Sequence, residues 1–146
     1  DKERVNSIFP QNFIFYRPLD IISGDYYWAH RMKVQGKDLS FLVVADCTGH
    51  GVPGALMSML GISYLNELII RRKVCNISEI LHQLRENIKS AMLYRKAKAK
   101  AYDGMDIALT IIDNNSGKLY FGAAPIAISG TPDWSRSPRS AIADPK

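Results

Sequence analysis

An α+β fold is predicted by the order of the periodic segments, which runs two strand patterns, two helical patterns and then two more strand patterns. Alternating parallel units would interleave strands with helices, so a mixed sheet with helices laid on a face is the expected arrangement. At 146 residues, 47% hydrophobic and 23% charged, the sequence suits one domain around a single core. That domain is placed at 1–128. An irregular or disordered tail is expected at 129–146, because Gly130 to Ser140 is rich in Pro, Ser and Arg and has no period.

The first two strand patterns cover 25–33 and 39–45, separated by Val34-Gln35-Gly36-Lys37-Asp38, whose glycine suits a tight turn. They predict an antiparallel hairpin. Leu39 to Ala45 is apolar almost throughout, which places the second strand mid-sheet with both faces buried. The glycine-dense Cys47 to Gly54 follows, and Pro53 stands where the first turn of a helix tolerates proline. That helix should run to about Arg72, with Gly54, Ala55, Ser58 and Gly61 making one side slim enough for close packing. A second helix starts near Asn76, with Glu79 three residues on completing a capping box. Its Ile77, Ile80, Leu81, Leu84, Ile88 and Met92 repeat at helical spacing as a core-facing stripe. Met105 to Asp113 and Lys118 to Ala123, joined by Asn114-Asn115-Ser116-Gly117, form a second hairpin.

Composition limits the function classes. No apolar run approaches the roughly 18–20 residues needed to span a bilayer, and no signal-peptide core follows the charged start. Cys47 and Cys75 make neither a disulfide framework nor a Cys-x-x-Cys pair, so free thiols in a reducing cytoplasm are expected, with a membrane-tethered parent protein left open. The net charge is +5, partly from Arg95, Lys96, Lys98 and Lys100. A solvated helix end is the simplest account of these, ahead of a phosphoprotein-attracting patch. Nucleic-acid binding is not expected, since no aromatic residues are interleaved for base stacking. Apolar helix faces permit a homodimer.

Counting outward from a turn at Gln35-Gly36 sets Asp25 opposite Asp46. Cross-strand neighbours have Cβ atoms about 4.5–5.5 Å apart on one face. Two carboxylates that close repel unless one is protonated or a cation lies between them. A divalent metal resolves the conflict, and all-oxygen ligands favour Mg2+ or Mn2+ over zinc. His50, between two glycines, is a candidate proton donor to a leaving group. Asp103 is a candidate ligand for an additional metal, whereas Asp106 reads as a holder of backbone amides. His30 and His82 read as structural.

Three motifs in this order, Ser23-Gly24-Asp25-Tyr26-Tyr27, Ala45-Asp46-Cys47-Thr48-Gly49-His50-Gly51-Val52-Pro53-Gly54-Ala55-Leu56-Met57-Ser58 and Asp103-Gly104-Met105-Asp106-Ile107-Ala108-Leu109, resemble the bacterial SpoIIE-like branch of the PPM, or type 2C, serine/threonine phosphatases. The likeness covers about Phe9 to Ala124. It implies an α-β-β-α sandwich of antiparallel sheets with a two-metal Mn2+ or Mg2+ centre at one edge, where a metal-activated water attacks phosphoserine or phosphothreonine in line. By the same resemblance Asp25 is a metal ligand, Asp46 bridges the two metals, the Cys47 carbonyl is a further ligand, Asp103 stands near the acidic residue for a third metal, and His50 resembles the histidine of the family's Asp-Gly-His-Gly stretch. Two extra residues separate His50 from Asp46. The family's later Thr-Asp-Gly motif and final aspartate have no counterpart, Thr131-Pro132-Asp133 being a poor substitute. Low or absent activity is therefore expected of this chain alone and activity of a complete parent, with a phosphorylated protein substrate such as an anti-sigma-factor antagonist. The alternative is a catalytically impaired module of the same fold that binds a phosphoprotein partner.

Overall fold

The first hairpin closes where its turn chemistry demands. Gln35 (φ 50°) and Gly36 (φ 78°) both adopt left-handed backbone, the two-residue turn whose twist matches that of the flanking strands. Strand β1 (Tyr26–Val34) and strand β2 (Lys37–Cys47) pair antiparallel from Val34↔Lys37 out to Tyr26↔Ala45, the register expected from the sequence. The computed structural model describes residues 2–18, 23–49, 51–93, 104–127 and 139–143.

Strands β3 (Gly104–Asp113), β4 (Leu119–Ala127) and β5 (Arg139–Ala143) extend the sheet in the order β1-β2-β3-β4-β5, each pair antiparallel. The α+β class is thus as predicted. Of the sandwich that the resemblance implies, the described residues form one sheet and its helices. The expectation of an irregular tail needs correction at 139–143, where the backbone pairs with β4. Arg139-Ser140-Ala141-Ile142-Ala143 is short and does not alternate, so it gave no periodic signal, and its pairing occupies ladder groups that an edge strand leaves open.

One face of the sheet is covered. Helix α2 (Val52–Leu65) runs directly into a π-helical turn (Asn66–Arg71), and helix α3 (Ile77–Leu93) packs beside it. Phe41, Val43 and Leu109 from the sheet meet Leu65, Leu68, Ile80 and Leu84 from the helices, all essentially inaccessible to water. Burying each such side chain contributes roughly 1.5–3 kcal/mol. The slim side of α2 is used as expected, since a Cβ at Gly61 would collide with the Tyr26 hydroxyl. Asn76 caps α3 by accepting the Glu79 amide at 3.0 Å, while the Glu79 carboxylate accepts from Gln83 at 2.8 Å.

Among the described residues the opposite face is only partly covered, which corrects the reading of β2 as buried on both sides: Val44 is 56% exposed and Phe121 37%. Hydrophobicity along a strand cannot tell which face a helix covers. A second correction concerns Val52–Arg71, a 20-residue helical run long and apolar enough to cross a membrane by length and composition. Its Leu65, Leu68 and Ile69 are spent on the sheet core. Helix α1 (Lys2–Ile8), not foreseen from sequence, packs on β1 through the buried Val5.

Candidate metal centre

One step beyond Tyr26↔Ala45, the β1–β2 register sets Asp25 across from Asp46. A two-residue turn makes Val34↔Lys37 a hydrogen-bonded pair, and such pairs alternate along an antiparallel ladder, so Asp25 and Asp46 fall in the other set, where opposed side chains are closest. Burial, then a hydrogen bond shared with the Asp46 carboxylate and the charge of that carboxylate, push the Asp25 carboxyl up, and the Cys47 amide only partly offsets them. The pair is therefore under electrostatic pressure that a cation relieves.

Cys47 stands on the helix-covered side of β2, opposite to the carboxylates. Its thiol is buried and pushed up to about 12, first by burial and then by the charges of Asp25 and Asp46. A neutral thiol is no ligand for a hard cation. A Cβ added at Gly24 would lie 3.1 Å from both the Cys47 and Gly49 carbonyl oxygens. Gly24 thus lets the Asp25 backbone approach the loop closely.

Helix α2 presses on this loop from one side. A Cβ at Gly54 would lie 2.5 Å from the Gly49 carbonyl oxygen, and the Ser58 hydroxyl reaches the Ala55 and Ser23 carbonyls at 2.9 and 3.3 Å. The Ser23 hydroxyl in turn accepts the Asp25 amide at 3.0 Å. On the open face the Tyr16 hydroxyl donates to the Asp25 carbonyl at 2.8 Å, and its ring meets Tyr27 edge-on at 5.6 Å. A cavity of about 280 Å³, lined by Phe9, Phe13, Tyr16 and Val44, opens beside Asp25.

The structure adds a carboxylate that sequence reasoning assigned elsewhere. Asp106 pairs with Asp46 across β2 and β3, exposed on the same face, so Asp25, Asp46 and Asp106 stand in a row over three strands. The alternation of β3, with Met105 and Ile107 buried, was a signal that Asp106 faces outward; its partner was not readable, because two helices separate the strands. His50 and Asp103 lie outside the described residues. His30 stacks on Trp28 at 5.9 Å and is pushed down by burial and then by Arg4 and Lys73, a structural role as expected. His82 is exposed on α3.

The donor set fits part of a magnesium or manganese centre: two facing carboxylates and a carbonyl, all hard oxygen. Among the described residues no group of three or more His, Cys, Asp or Glu gathers closely enough to hold an ion by itself. Water or further residues would have to complete the coordination of any ion held there.

A sequence profile of Stage II sporulation protein E (SpoIIE) matches residues 36–128. No curated protein matches the sequence. Among solved structures, the SiaA-PP2C domain of Pseudomonas aeruginosa is similar at a TM-score of 0.72 and 22% identity, covering 98% of this chain and 60% of that one. The PP2C phosphatase domain of SpoIIE from Bacillus subtilis, solved with a fragment of its regulatory domain, is similar at a TM-score of 0.53 and 16% identity, over 87% of this chain and 39% of that one. The chain therefore spans about three-fifths of the first of these and less of the second. The profile covers more than half of the sequence and the fold agrees with it, so the chain belongs to the SpoIIE family of PP2C-type phosphatase domains.

Proposed function

We propose that this chain supplies the front part of a metal-dependent phosphoprotein phosphatase centre, acting on phosphoserine or phosphothreonine. The facing pair Asp25 and Asp46, with its raised Asp25 carboxyl, is the observation that carries the reading. Asp25, Asp46 and the Cys47 carbonyl would hold Mg2+ or Mn2+, with Asp46 shared between two ions and Asp103 serving a third. When bound, the ions supply Lewis acidity and lower the pKa of water for in-line attack on phosphorus. The bond from phosphorus to the serine or threonine oxygen breaks, and His50 returns a proton to that oxygen, releasing inorganic phosphate. The exposed aromatic groove beside Asp25 offers a surface for the polypeptide around the phosphoryl group. A phosphorylated signalling protein, of which an anti-sigma-factor antagonist is one kind, is the proposed substrate, with the reaction in the cytoplasm.

A second reading is favoured by the shortage of ligands among the described residues: a module that binds a phosphoprotein with metal and does not turn it over. Manganese calorimetry on the chain and on Asp46→Asn, run beside p-nitrophenyl phosphate hydrolysis, separates the two. Binding lost in Asp46→Asn is expected, with little hydrolysis. Binding retained in Asp46→Asn refutes the aspartate centre, and metal-dependent binding without hydrolysis in a longer chain favours the module.

A further inference from the structure

The β2–β3 ladder ends at Cys47↔Met105, and its register carried one step further sets Thr48 opposite Gly104. The Thr48 amide donates to the Gly104 carbonyl at 2.9 Å, as a ladder pair should. The return bond differs. In a regular antiparallel pair the Gly104 amide would donate to the Thr48 carbonyl; here it donates to the Thr48 hydroxyl at 3.1 Å. The same hydroxyl contacts the Gly104 carbonyl at 3.1 Å as donor. A side chain has taken the place of a backbone carbonyl.

The substitution has a local consequence. An unpaired amide in a part-buried position costs about 1–3 kcal/mol. With its hydroxyl serving Gly104, Thr48 lets the backbone turn out of the sheet one residue early, into Gly49 at φ 91°, without that cost. It turns there while still joined to β3. Thr48 immediately follows Asp46 and Cys47, and Gly104 opens the strand whose Asp106 faces Asp46. The joint is short, with both hydroxyl contacts at 3.1 Å.

We propose that Thr48 is a positioning residue of the metal centre, its hydroxyl clamping the end of β2, which carries Asp46 and the Cys47 carbonyl, to the entrance of β3. This rests on the metal reading of Asp25 and Asp46. Groups that orient ligands without touching the ion typically cost about 10–100-fold in metal affinity when removed. Thr48→Val keeps the shape and removes the hydroxyl; Thr48→Ser keeps the hydroxyl and removes the methyl.

Manganese calorimetry on the wild-type chain, Asp46→Asn, Thr48→Val and Thr48→Ser tests it. The expected result is affinity lowered about 10–100-fold in Thr48→Val and close to wild type in Thr48→Ser. Equal affinity in Thr48→Val and wild type overturns the assignment, as does a loss in Thr48→Ser as large as in Thr48→Val. If wild type binds and Asp46→Asn does not, such a result falls on Thr48 alone; if wild type does not bind manganese, the metal reading and the clamp fall together. Should Thr48→Val not fold, amide exchange of Gly104 in the wild-type chain with and without Mg2+ decides: slower exchange with Mg2+ supports the clamp, and unchanged exchange at saturating Mg2+ overturns it.

Discussion

The two ends of the β1–β2 hairpin hold aspartates in opposite electrostatic conditions. At the turn end, Asp38 accepts two hydrogen bonds from Arg31, at 2.7 and 3.0 Å, while its backbone is held by Asn114 and Asn115. The Arg31 hydrogen bonds hold its carboxyl below the ordinary range; burial, the next largest effect, opposes them, and the Arg31 charge, Asn114 and Lys33 add to the lowering. At the other end Asp25 faces Asp46, and burial with that neighbour pushes it up. One carboxylate has its countercharge within the chain. The other faces a second carboxylate, and the proposed metal centre lies at that end of the sheet.

The largest test of the contrast concerns how tightly each end is packed. Gly54→Ala sets a methyl against the Gly49 carbonyl, a backbone atom with little room to yield, and should cost about 1–3 kcal/mol in urea unfolding while weakening manganese binding. Gly36→Ala meets open space and only the penalty of a left-handed backbone, roughly 1–2 kcal/mol, with manganese binding unchanged. Equal metal affinity in the two variants would break the link between α2 and the aspartate loop.

A finer comparison replaces each aspartate in turn. In chelator, Asp25→Asn should raise the melting temperature, since it removes a repulsive charge, whereas Asp38→Asn should lower it. Both shifts in one direction would mean that the ends do not differ as described.

The pH profile of the metal-free chain follows from the same signs. Asp25 has a raised folded pKa, so its ionised form weakens the fold at neutral pH, and that effect is relieved as pH falls through the raised value towards the ordinary 3.8. Asp38 has a lowered folded pKa; its contribution is complete above 3.8 and disappears as pH falls through the lowered value. Thermal melts from neutral to acid pH should therefore show Asp25→Asn removing a gain above 3.8, and Asp38→Asn removing part of a loss below it. The smallest effect is that of salt: the exposed Arg31–Asp38 pair should lose most of its small stabilisation in 1 M NaCl, where charges are screened within about 3 Å.

The parts of this site that are local in the chain were legible. Gln35-Gly36 closes a two-residue turn, and a turn of known length sets every pair in its hairpin, including Asp25 with Asp46. Asn76 announces its helix because the cap bond spans three residues. Asp106 was not legible as a neighbour of Asp46, since α2, the π-turn and α3 intervene and no local count crosses them. The swap of hydroxyl for carbonyl at Thr48 was hidden for the same reason: its partner, Gly104, is distant in sequence.

By itself, then, the sequence determined the α+β class, the first hairpin with its register, the Asn76 cap and core stripe of α3, and the family. Each depends on turn chemistry, periodicity or motif, all encoded within short stretches. Only the tertiary structure decided which sheet face the helices cover, that Val44 and Phe121 stand exposed, that 139–143 joins β4, and that three aspartates align across three strands. Those outcomes depend on contacts between distant segments, where the closeness of packing at positions such as Gly54 and Gly61 selects one arrangement among several that the same local patterns would allow.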